Sequence, residues 1–392
     1  MIILTLNAGS SSLKFNLIDT ADETALADGI AERIGLSEGF IRWTIQGEKG
    51  RVDQDMKDHK DALTTIMDEL RKTALKDRDV TAVGHRVAHG GPHFGDPMLV
   101  TPKVLQEIED LAALAPLHNP ANALGVKTAM EIFPGKPQVA VFDTAFHNSI
   151  PDYAYTYGLP KDLCAKHEIR RYGFHGTSHR YVAERTALLL AKPLDTLKII
   201  TCHLGNGSSI TAVNKGKSVD TSMGLTPLEG VIMGTRCGSV DAGAIITLME
   251  KENLDAKGIN ALLNKQSGLQ GISGVSSDLR DIEESRASND SSRLTFETLC
   301  YGIVKYIGAY AAAMDGVDAI TFTAGIGENS NSTRAWVCNR LRNLLGIEIV
   351  EAKNNARSKD DRIVSTPASR TAVCVIPTNE ELMIARYTAK LV

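Results

Sequence analysis

Two short segments of the chain share one pattern, and this pattern constrains the fold more than any other feature. Residues 7–15 read NAGSSSLKF and directly follow the apolar run at residues 2–6. Residues 203–210 read HLGNGSSI and follow a similar run at residues 198–201. Each segment predicts a strand, a small polar turn and a second strand, and such a turn exposes backbone N–H groups and hydroxyls to a phosphate. Two such turns predict a duplicated fold that binds a polyphosphate between its halves.

Length and composition define the broad class of protein. The chain has 392 residues, of which 43% are hydrophobic and 23% charged, as in a globular protein of two or three domains. The net charge of −4 gives no electrostatic reason to expect nucleic acid or a membrane as a partner. We expect a cytoplasmic protein, because the sequence opens on a strand pattern without a signal peptide and has no apolar run of membrane-spanning length. The six cysteines form no CxxC pair and predict reduced thiols in the core.

Strand and helix patterns alternate along the chain. Short β-branched runs predict strands at residues 2–6, 13–18, 41–45, 80–83 and 138–142, and again at 197–202, 209–214, 318–323 and 371–376. Helical spacing predicts helices at residues 60–71, 102–114, 119–132, 178–191 (capped by Ser178), 239–252, 294–314 and 380–389. Residues 353–362 form the most polar stretch and predict a surface loop. The alternation predicts an α/β protein with mixed sheets.

The common phosphate-binding and metal-binding motifs are excluded. A P-loop ending in Gly216-Lys217-Ser218 requires a glycine where the chain has Thr211. A dinucleotide fingerprint starting at Gly325 requires a third glycine where the chain has Ser330. His85 and His89 have a spacing of four residues but no HExxH motif, which argues against a zinc pair.

Five polar residues lie where chemistry is expected. Arg86 and Arg236 each stand in a Gly-rich segment that predicts a turn, where a guanidinium either binds a carboxylate or phosphoryl group or anchors loop carbonyls. Asp143 ends a predicted strand, where it either caps the next segment or holds a metal ion or an arginine. Glu380 opens the last predicted helix, where the helix dipole favours an acid and a magnesium site is the alternative. His175 precedes a predicted helix between two glycines, where it either stabilises phosphoryl charge or serves as a structural donor.

Three apolar residues lie beside these segments: Leu117, Phe174 and Pro227. They either line a small pocket for an alkyl group or belong to the ordinary core.

Ten segments match one family in that family's order: residues 7–12, 84–91, 115–120, 141–147, 171–179, 203–209, 234–238, 274–280, 322–329 and 377–381. On these motifs the chain resembles the acetate and propionate kinases. The resemblance implies the duplicated, ribonuclease H-like fold of actin, Hsp70 ATPase domains and sugar kinases, in which two α/β domains face each other across a nucleotide cleft. It implies domain I at residues 1–150 plus 379–392, domain II at residues 151–378, and a homodimer.

The resemblance also implies roles for the matching residues. The implied catalytic residues are Arg86, Asp143, His175 and Arg236, and the implied residues for Mg²⁺ or Mn²⁺ are Asn7 and Glu380. The implied residues for ATP and ADP are Asn7, Ser10, Ser12 and Lys14, then His203, Leu204, Gly205, Asn206 and Gly207, then Asp278, Leu279, Arg280, Gly325, Ile326, Gly327 and Asn329. The implied acyl pocket consists of Arg86, Ala88, Leu117, Phe174 and Pro227.

One position departs from the acetate-specific pattern of that family. The segment after Arg86 usually reads Val-Val-His, whereas this chain has Val87-Ala88-His89. Alanine leaves room for roughly one extra methylene of substrate, which is worth only about 1–3 kcal/mol of discrimination. We therefore expect Ala88 to relax selectivity towards propionate without abolishing the use of acetate.

The expected reaction is a reversible, Mg²⁺-dependent, direct in-line transfer of the ATP γ-phosphoryl group to acetate, with propionate as the alternative acceptor. An ATP-dependent switch of the actin or Hsp70 type is the competing function, and it predicts ATP turnover that is independent of a carboxylate. A phosphatase of the same fold would need a positioned water and a base, and no residue of the sequence demands that role.

Overall fold

The chain forms two compact units in the computed structural model, which describes residues 1–116 and 118–392. The first unit comprises Met1–Phe146 and Asn379–Val392, and the second comprises His147–Thr378.

The first unit contains an eight-stranded mixed sheet. Its strands are β1 (Ile2–Ala8), β2 (Ser12–Asp19), β3 (Thr24–Glu32), β4 (Phe40–Ile45), β5 (Glu48–Asp53), β6 (Ala82–Val87), β7 (Met98–Leu99) and β8 (Gln138–Phe142). They lie in the order β5-β4-β3-β2-β1-β6-β8-β7. The β1–β6 and β6–β8 pairs are parallel, and the remaining pairs are antiparallel. Buried aliphatic side chains fill β1, as expected for a strand in the middle of a sheet.

The second unit contains a six-stranded mixed sheet. Its strands are β9 (Lys198–Leu204), β10 (Ser208–Asn214), β11 (Lys217–Thr221), β12 (Ala319–Thr323), β13 (Arg362–Ile363) and β14 (Ala372–Val375). Their order is β11-β10-β9-β12-β14-β13, with parallel pairs at β9–β12 and β12–β14. The same sequence of antiparallel and parallel pairs runs from β3 to β7 in the first sheet. The duplication predicted from the two polar turns is therefore confirmed.

Helices cover the sheets of both units. They are α1 (His59–Lys72), α2 (Pro102–Asp110), α3 (Asn119–Ile132), α4 (Asp152–Tyr155), α5 (Lys161–Lys166), α6 (Gly176–Leu189), α7 (Ala242–Lys251), α8 (Ala256–Lys265), α9 (Gly268–Ser273), α10 (Leu279–Ser285), α11 (Asp290–Ala313), α12 (Ala324–Asn329), α13 (Asn331–Leu345), α14 (Glu351–Asn355) and α15 (Glu380–Leu391). Short 3₁₀ helices span Leu111–Ala113, Ala145–Ser149 and Leu194–Thr196. No helix in the described ranges combines the length and the hydropathy that crossing a membrane requires.

Each unit has its own hydrophobic core. In the first unit, Leu63, Ile66 and Leu70 of α1 are buried against the sheet, as their helical spacing predicts. In the second unit, α11 packs Leu299 and Ile303 on the other sheet. The terminal helix α15 belongs to the first unit, where Ile384 packs against Val139 and Val141 of β8.

Several sequence predictions need correction. Residues 353–362 are not a simple surface loop, because α14 occupies their beginning and Asn354 is buried there. Helix α6 begins at Gly176, so Ser178 lies inside it and is not its cap. Helix α7 begins after its cap Asp241, and α11 begins after its cap Asn289, because each of these side chains accepts hydrogen bonds from the first-turn amides.

The cysteine prediction also needs a correction. All six cysteines are free thiols, but Cys164 and Cys237 are only half-buried, whereas the other four are buried as predicted.

Candidate active site

The first polar turn is a tight backbone structure. The Gly9 amide donates to Ser12 O at 2.8 Å, and a Cβ at Gly9 would lie 2.8 Å from Ser12 Oγ. Buried His59, the first residue of α1, holds the turn in place, since its Nε2 lies 2.7 Å from Gly9 O. The turn leaves Ser10 exposed and Ser12 half-buried. Beside it, half-buried Asn7 pairs with exposed Lys14 across the β1–β2 hairpin.

Arg86 lies in a strand and not in the predicted turn. It belongs to β6, which runs to Val87 between β1 and β8. Glycine is required at position 84 for a different reason from the turn that the sequence suggested. A Cβ there would lie 2.5 Å from Thr388 Oγ1 and 2.7 Å from Ile384 Cγ2, both on α15. The glycine therefore permits the close packing of α15 on β6 and does not form a turn.

A buried carboxylate fixes the Arg86 guanidinium. Asp143 directly follows β8, and its amide donates to Val87 O at 2.9 Å, which aligns the two strand ends. Arg86 Nε and Nη2 donate to the two carboxylate oxygens of Asp143 at 3.0 and 2.7 Å. The Asp143 side chain is only 3% exposed, so this bidentate pair is shielded from water on the aspartate side.

Glu380 adds a second carboxylate to the same guanidinium. It is the first residue of α15, and its Oε2 lies 3.8 Å from Arg86 Nε. Burial raises the pKa of Glu380 to about 7; Asp143 and Glu381 add to the effect, whereas Arg86 and Lys14 oppose it. Burial disfavours the charged form of Arg86, but Asp143 and Glu380 outweigh it, so the pKa of Arg86 is raised. Two carboxylates therefore share one cation, and an oxygen donor set with excess negative charge fits Mg²⁺.

Two buried asparagines of α3 position the loop after β6. Asn122 Oδ1 accepts from the Ala88 amide at 3.0 Å, and its Nδ2 donates to Ala8 O at 2.8 Å. Asn119 Oδ1 accepts from the His89 amide at 3.1 Å, and its Nδ2 donates to His89 O at 3.0 Å. Sequence reasoning missed both residues, although two asparagines in the first turn of a mostly apolar helix are a usable signal.

The candidate acyl residues lie in both units. Ala88 is half-buried in the first unit. In the second unit, Phe174 is buried in a small cluster with Met223 and Met233, which sequence reasoning did not identify. Pro227 is half-buried in the same unit, and Leu117 lies outside the described residues.

His175 has an unusual backbone conformation. It is the N-cap residue of α6 with φ at +56°, in the left-handed region that a non-glycine residue rarely adopts. Its Nδ1 lies 2.8 Å from Ser209 Oγ, and its ring stacks on His203 with centroids 4.1 Å apart. The imidazole orientation is thus set by β9 and β10, which flank the second polar turn.

A second histidine, His179, contacts the serine that holds His175. His179 is fully buried, with Nδ1 2.7 Å from Thr201 Oγ1 and Nε2 2.7 Å from Ser209 Oγ. Burial lowers the pKa of His179 well below its usual value, and His147 and His203 add to the effect. A neutral His179 therefore holds Ser209 against His175.

Arg236 is a cation without an acidic partner. Its Nη1 donates to Pro227 O at 3.1 Å and lies 3.8 Å from Met233 Sδ. Among residues 1–116 and 118–392, no carboxylate lies within ion-pair distance of the Arg236 guanidinium. Burial lowers the pKa of Arg236. A Cβ at Gly207 would lie 3.5 Å from Arg236 Nη1 and 3.5 Å from His175 Nε2, so the glycine keeps the space between these two groups open. A half-buried guanidinium facing an imidazole across a glycine is suited to an anion.

A cavity of about 920 Å³ lies in the second unit beside the second turn. The sequence-predicted nucleotide residues that line it are Gly205, Asn206, Asp278, Leu279, Arg280, Gly325, Ile326 and Asn329. Sequence reasoning missed six further lining residues: Ser277, Glu283, Glu284, Ser330, Asn331 and Arg357. His203, Leu204, Gly207 and Gly327 do not line it. Leu204 is only 1% exposed, and its side chain belongs to the hydrophobic core of the unit.

A buried arginine holds one wall of this cavity. Arg334 is 1% exposed, and its Nη1 donates to Gly327 O at 2.9 Å and Glu328 O at 3.0 Å at the end of α12. Its Nε and Nη2 donate to Oδ1 and O of Asn354 on α14 at 2.8 and 2.6 Å. Two of these four hydrogen bonds hold α12, which carries Gly325, Ile326 and Asn329, and the other two tie it to α14.

The family model described as the acetokinase family matches residues 2–386. The chain belongs to the acetokinase family. It is 52% identical over 398 residues to the acetate kinase of Thermoanaerobacterium thermosaccharolyticum, with 100% of this chain and 99% of the relative covered. It is 52% identical over 400 residues to the acetate kinase of Thermotoga maritima, again with 100% and 99% covered.

Solved structures support the same assignment. The crystal structure of Porphyromonas gingivalis acetate kinase matches with a TM-score of 0.95 and 45% identity, over 100% of this chain and 99% of that chain. A propionate kinase from Francisella tularensis matches with a TM-score of 0.94 and 40% identity, over 100% of both chains. The duplicated α/β fold that the resemblance implied is therefore confirmed. This acetokinase fold is shared by an acetate kinase and a propionate kinase, so the fold does not identify the acyl substrate.

Proposed function

We propose that this acetokinase is an acetate kinase, which transfers the γ-phosphoryl group of ATP reversibly to acetate and forms acetyl phosphate and ADP. The observation that carries the proposal is Arg236, a half-buried cation without a carboxylate partner that faces His175 across Gly207. An anion-binding pair of this kind is suited to the charge of a transferred phosphoryl group. The names of the relatives with 51–52% identity favour acetate over propionate as the acceptor.

In this proposal Arg86 orients the acetate carboxylate. Asp143 occupies Nε and Nη2 of Arg86, so Nη1 is the nitrogen that contacts the substrate. Acetate is already ionised at neutral pH and needs no general base. The contribution of this arginine is therefore alignment of the nucleophilic oxygen, which removes much of the entropic cost of a bimolecular reaction.

Arg236 and His175 act on the phosphoryl oxygens. Ser209 holds His175 Nδ1, which leaves Nε2 on the side of Gly207 and Arg236. A guanidinium and an imidazole fixed before the reaction stabilise developing charge without reorganisation. We propose direct in-line transfer, so radiolabelled protein after incubation with ATP alone would contradict this mechanism.

The proposal also includes binding sites for the nucleotide and its metal ion. We propose that adenosine occupies the 920 Å³ cavity and that the two polar turns bind the phosphates, through Ser10, Ser12 and Lys14 in the first turn and Asn206 and Gly207 in the second. Asp143 and Glu380, with Asn7 in the same network, would hold Mg²⁺ or Mn²⁺ directly or through water. When bound, the ion supplies positive charge to the phosphate oxygens.

The activity is tested by measuring ADP release with ATP alone and with acetate added. We expect ADP release to depend on acetate, and hydroxylamine to trap an equimolar amount of acyl phosphate. Equal ATP turnover without any carboxylate would contradict the proposal and indicate an ATP-dependent switch.

The size of the side chain at position 88 is expected to affect the selectivity between acetate and propionate. Replacing Ala88 with valine adds two methyl carbons at a half-buried position next to Arg86, so the room for propionate shrinks more than the room for acetate. We expect the propionate-to-acetate ratio of kcat/KM to fall about 10-fold, as for one methylene in a pocket. Ala88→Ser adds only a hydroxyl and is the matched control. An unchanged ratio in Ala88→Val would remove Ala88 from the acyl pocket.

We further propose a homodimer in a reducing cytoplasm. The six free cysteines fit a reducing compartment. Helix α7, with the sequence AGAIITLMEK, is apolar but has no buried residue, and Ile246 is 57% exposed. A helix this apolar needs a covering surface, and a second copy of the chain is the proposed cover.

The α7 assignment predicts the effect of a single charge on oligomeric state. We expect Ile246→Glu to shift the protein from dimer to monomer in sedimentation velocity, because an unpaired carboxylate cannot be buried in an apolar interface. Leu188→Glu is the matched control, since Leu188 is 69% exposed on α6 of the same unit. If the Ile246→Glu protein remained dimeric, α7 would not be part of the dimer interface.

A further inference from the structure

Arg171 is a partly buried cation to which the proposed mechanism gives no role. Its side chain is 16% exposed, and its Nη2 lies 2.8 Å from Glu229 Oε1. Its Nη1 donates to three successive carbonyls, those of Thr221 at 3.0 Å, Ser222 at 3.3 Å and Met223 at 3.1 Å. One guanidinium therefore holds both ends of the loop from the end of β11 to Glu229.

Tyr157 and Gly224 complete this network. Tyr157 donates to Glu229 Oε2 at 2.6 Å and accepts from the Leu225 amide at 3.1 Å. A Cβ at Gly224 would lie 2.0 Å from Glu229 Oε2 and 2.2 Å from Tyr157 Oη, so only glycine lets these groups meet against the backbone. Gly224 O in turn accepts from the amides of Tyr172 and Gly173, at 3.1 and 3.2 Å.

The network joins two segments that carry proposed site residues. Arg171, Tyr172 and Gly173 lead directly into Phe174 and His175. The loop at residues 221–229 carries Pro227, whose carbonyl accepts from Arg236 Nη1 at 3.1 Å. A displacement of either segment would therefore change the position of His175 relative to Arg236.

The charges of the network favour its ion pair. Burial disfavours the charged form of Arg171, but Glu229 outweighs it, so the pKa of Arg171 is raised. Asp220 lies 3.9 Å from Arg171 Nε, and burial raises the pKa of Asp220. Breaking a shielded pair by removing one partner leaves an uncompensated charge, which is costly.

We propose that Arg171 and Glu229 are positioning residues that set the distance between His175 and Arg236. This inference rests on the proposed function, since it concerns the two groups assigned to the phosphoryl oxygens. Neither residue is assigned a contact with substrate.

Glu229→Gln tests the inference, because it keeps the shape of the side chain and removes the charge that pairs with Arg171. We expect kcat for acetate phosphorylation to fall about 10–100-fold, as for a misplacement of the reacting groups by up to about 1 Å. We expect KM for ATP to stay within about twofold, because other segments line the adenosine cavity. Asp361→Asn is the matched control: it removes the partly buried Arg185–Asp361 pair, which joins the C-terminal half of α6 to the residue before β13.

Two further measurements separate positioning from general stability. In Glu229→Gln, amide hydrogen exchange should accelerate in both 171–175 and 221–229, whereas Asp361→Asn should leave both unchanged. Tyr157→Phe keeps the ion pair and should lower kcat by less than Glu229→Gln, so it serves as the milder variant if Glu229→Gln folds poorly. Wild-type kcat in Glu229→Gln, or exchange that stays slow in either segment, would overturn the inference. If the wild-type protein did not phosphorylate acetate, the proposed function would fail, and the exchange result alone would decide whether the network couples the two segments.

Discussion

Replacing Arg236 with alanine is expected to lower kcat by about 10³-fold while KM for ATP changes by less than about threefold. Arg236 has no carboxylate partner among the described residues, so its charge is available to the phosphoryl oxygens. Its removal leaves no buried acid unpaired, and the fold should therefore tolerate the change. The expected loss is confined to the transition state, where the phosphoryl charge spreads over the equatorial oxygens.

Steady-state kinetics with ATP and acetate varied independently check this result. Arg236→Lys keeps the charge but loses the planar fork, and we expect it to recover about 10-fold or less of the lost rate. Arg280→Ala is the contrasting variant, because the 84% exposed Arg280 lines the adenosine cavity. It should raise KM for ATP and leave kcat nearly unchanged. A near-normal kcat in Arg236→Ala would remove Arg236 from the mechanism and weaken the proposed function.

The second large effect is expected for Arg86→Ala, which should lower kcat/KM for acetate by about 10³-fold or more. The variant should also be less stable, because it leaves Asp143, which is 3% exposed, and Glu380 without their shared cation. Breaking a buried pair in this way costs about 3–5 kcal/mol. Thermal unfolding of the purified variant measures the stability loss separately from activity.

A double variant separates the two consequences of this change. Adding Asp143→Asn to Arg86→Ala removes one of the unpaired charges and should restore much of the melting temperature without restoring activity. Recovery of both properties would show that Arg86 acts only on the fold. Recovery of neither would show that the loss of stability arises elsewhere, since β6 also packs against α15 through Gly84.

The sequence predicted the parts of the site that depend on local pattern. The two polar turns, the strand before Asp143 and the helix that begins with Glu380 each follow from a few neighbouring residues. The paired topology of the two sheets follows from the repetition of the turn. These features are local, and β-branched runs or capping positions are enough to identify them.

The remaining features depend on contacts between residues that are distant in sequence. Gly84 signalled a turn to sequence reasoning, whereas its real cause is the approach of α15 from the other end of the chain. The inner strand β3 and the edge strand β5 were missed because their exposed faces carry polar residues. Ser209 and Glu229 gave no signal, since their partners His175 and Arg171 lie 34 and 58 residues away.

The buried Arg334 has a consequence for how the adenosine cavity tolerates mutation. Its guanidinium forms four hydrogen bonds to α12 and α14, and lysine has neither the planar fork nor enough reach to replace them. The wall that presents Gly325 and Asn329 is therefore held by a side chain that is not itself part of the cavity lining. Engineering of nucleotide preference in this protein would need to vary residues on the cavity side of α12 while keeping this hidden arginine unchanged.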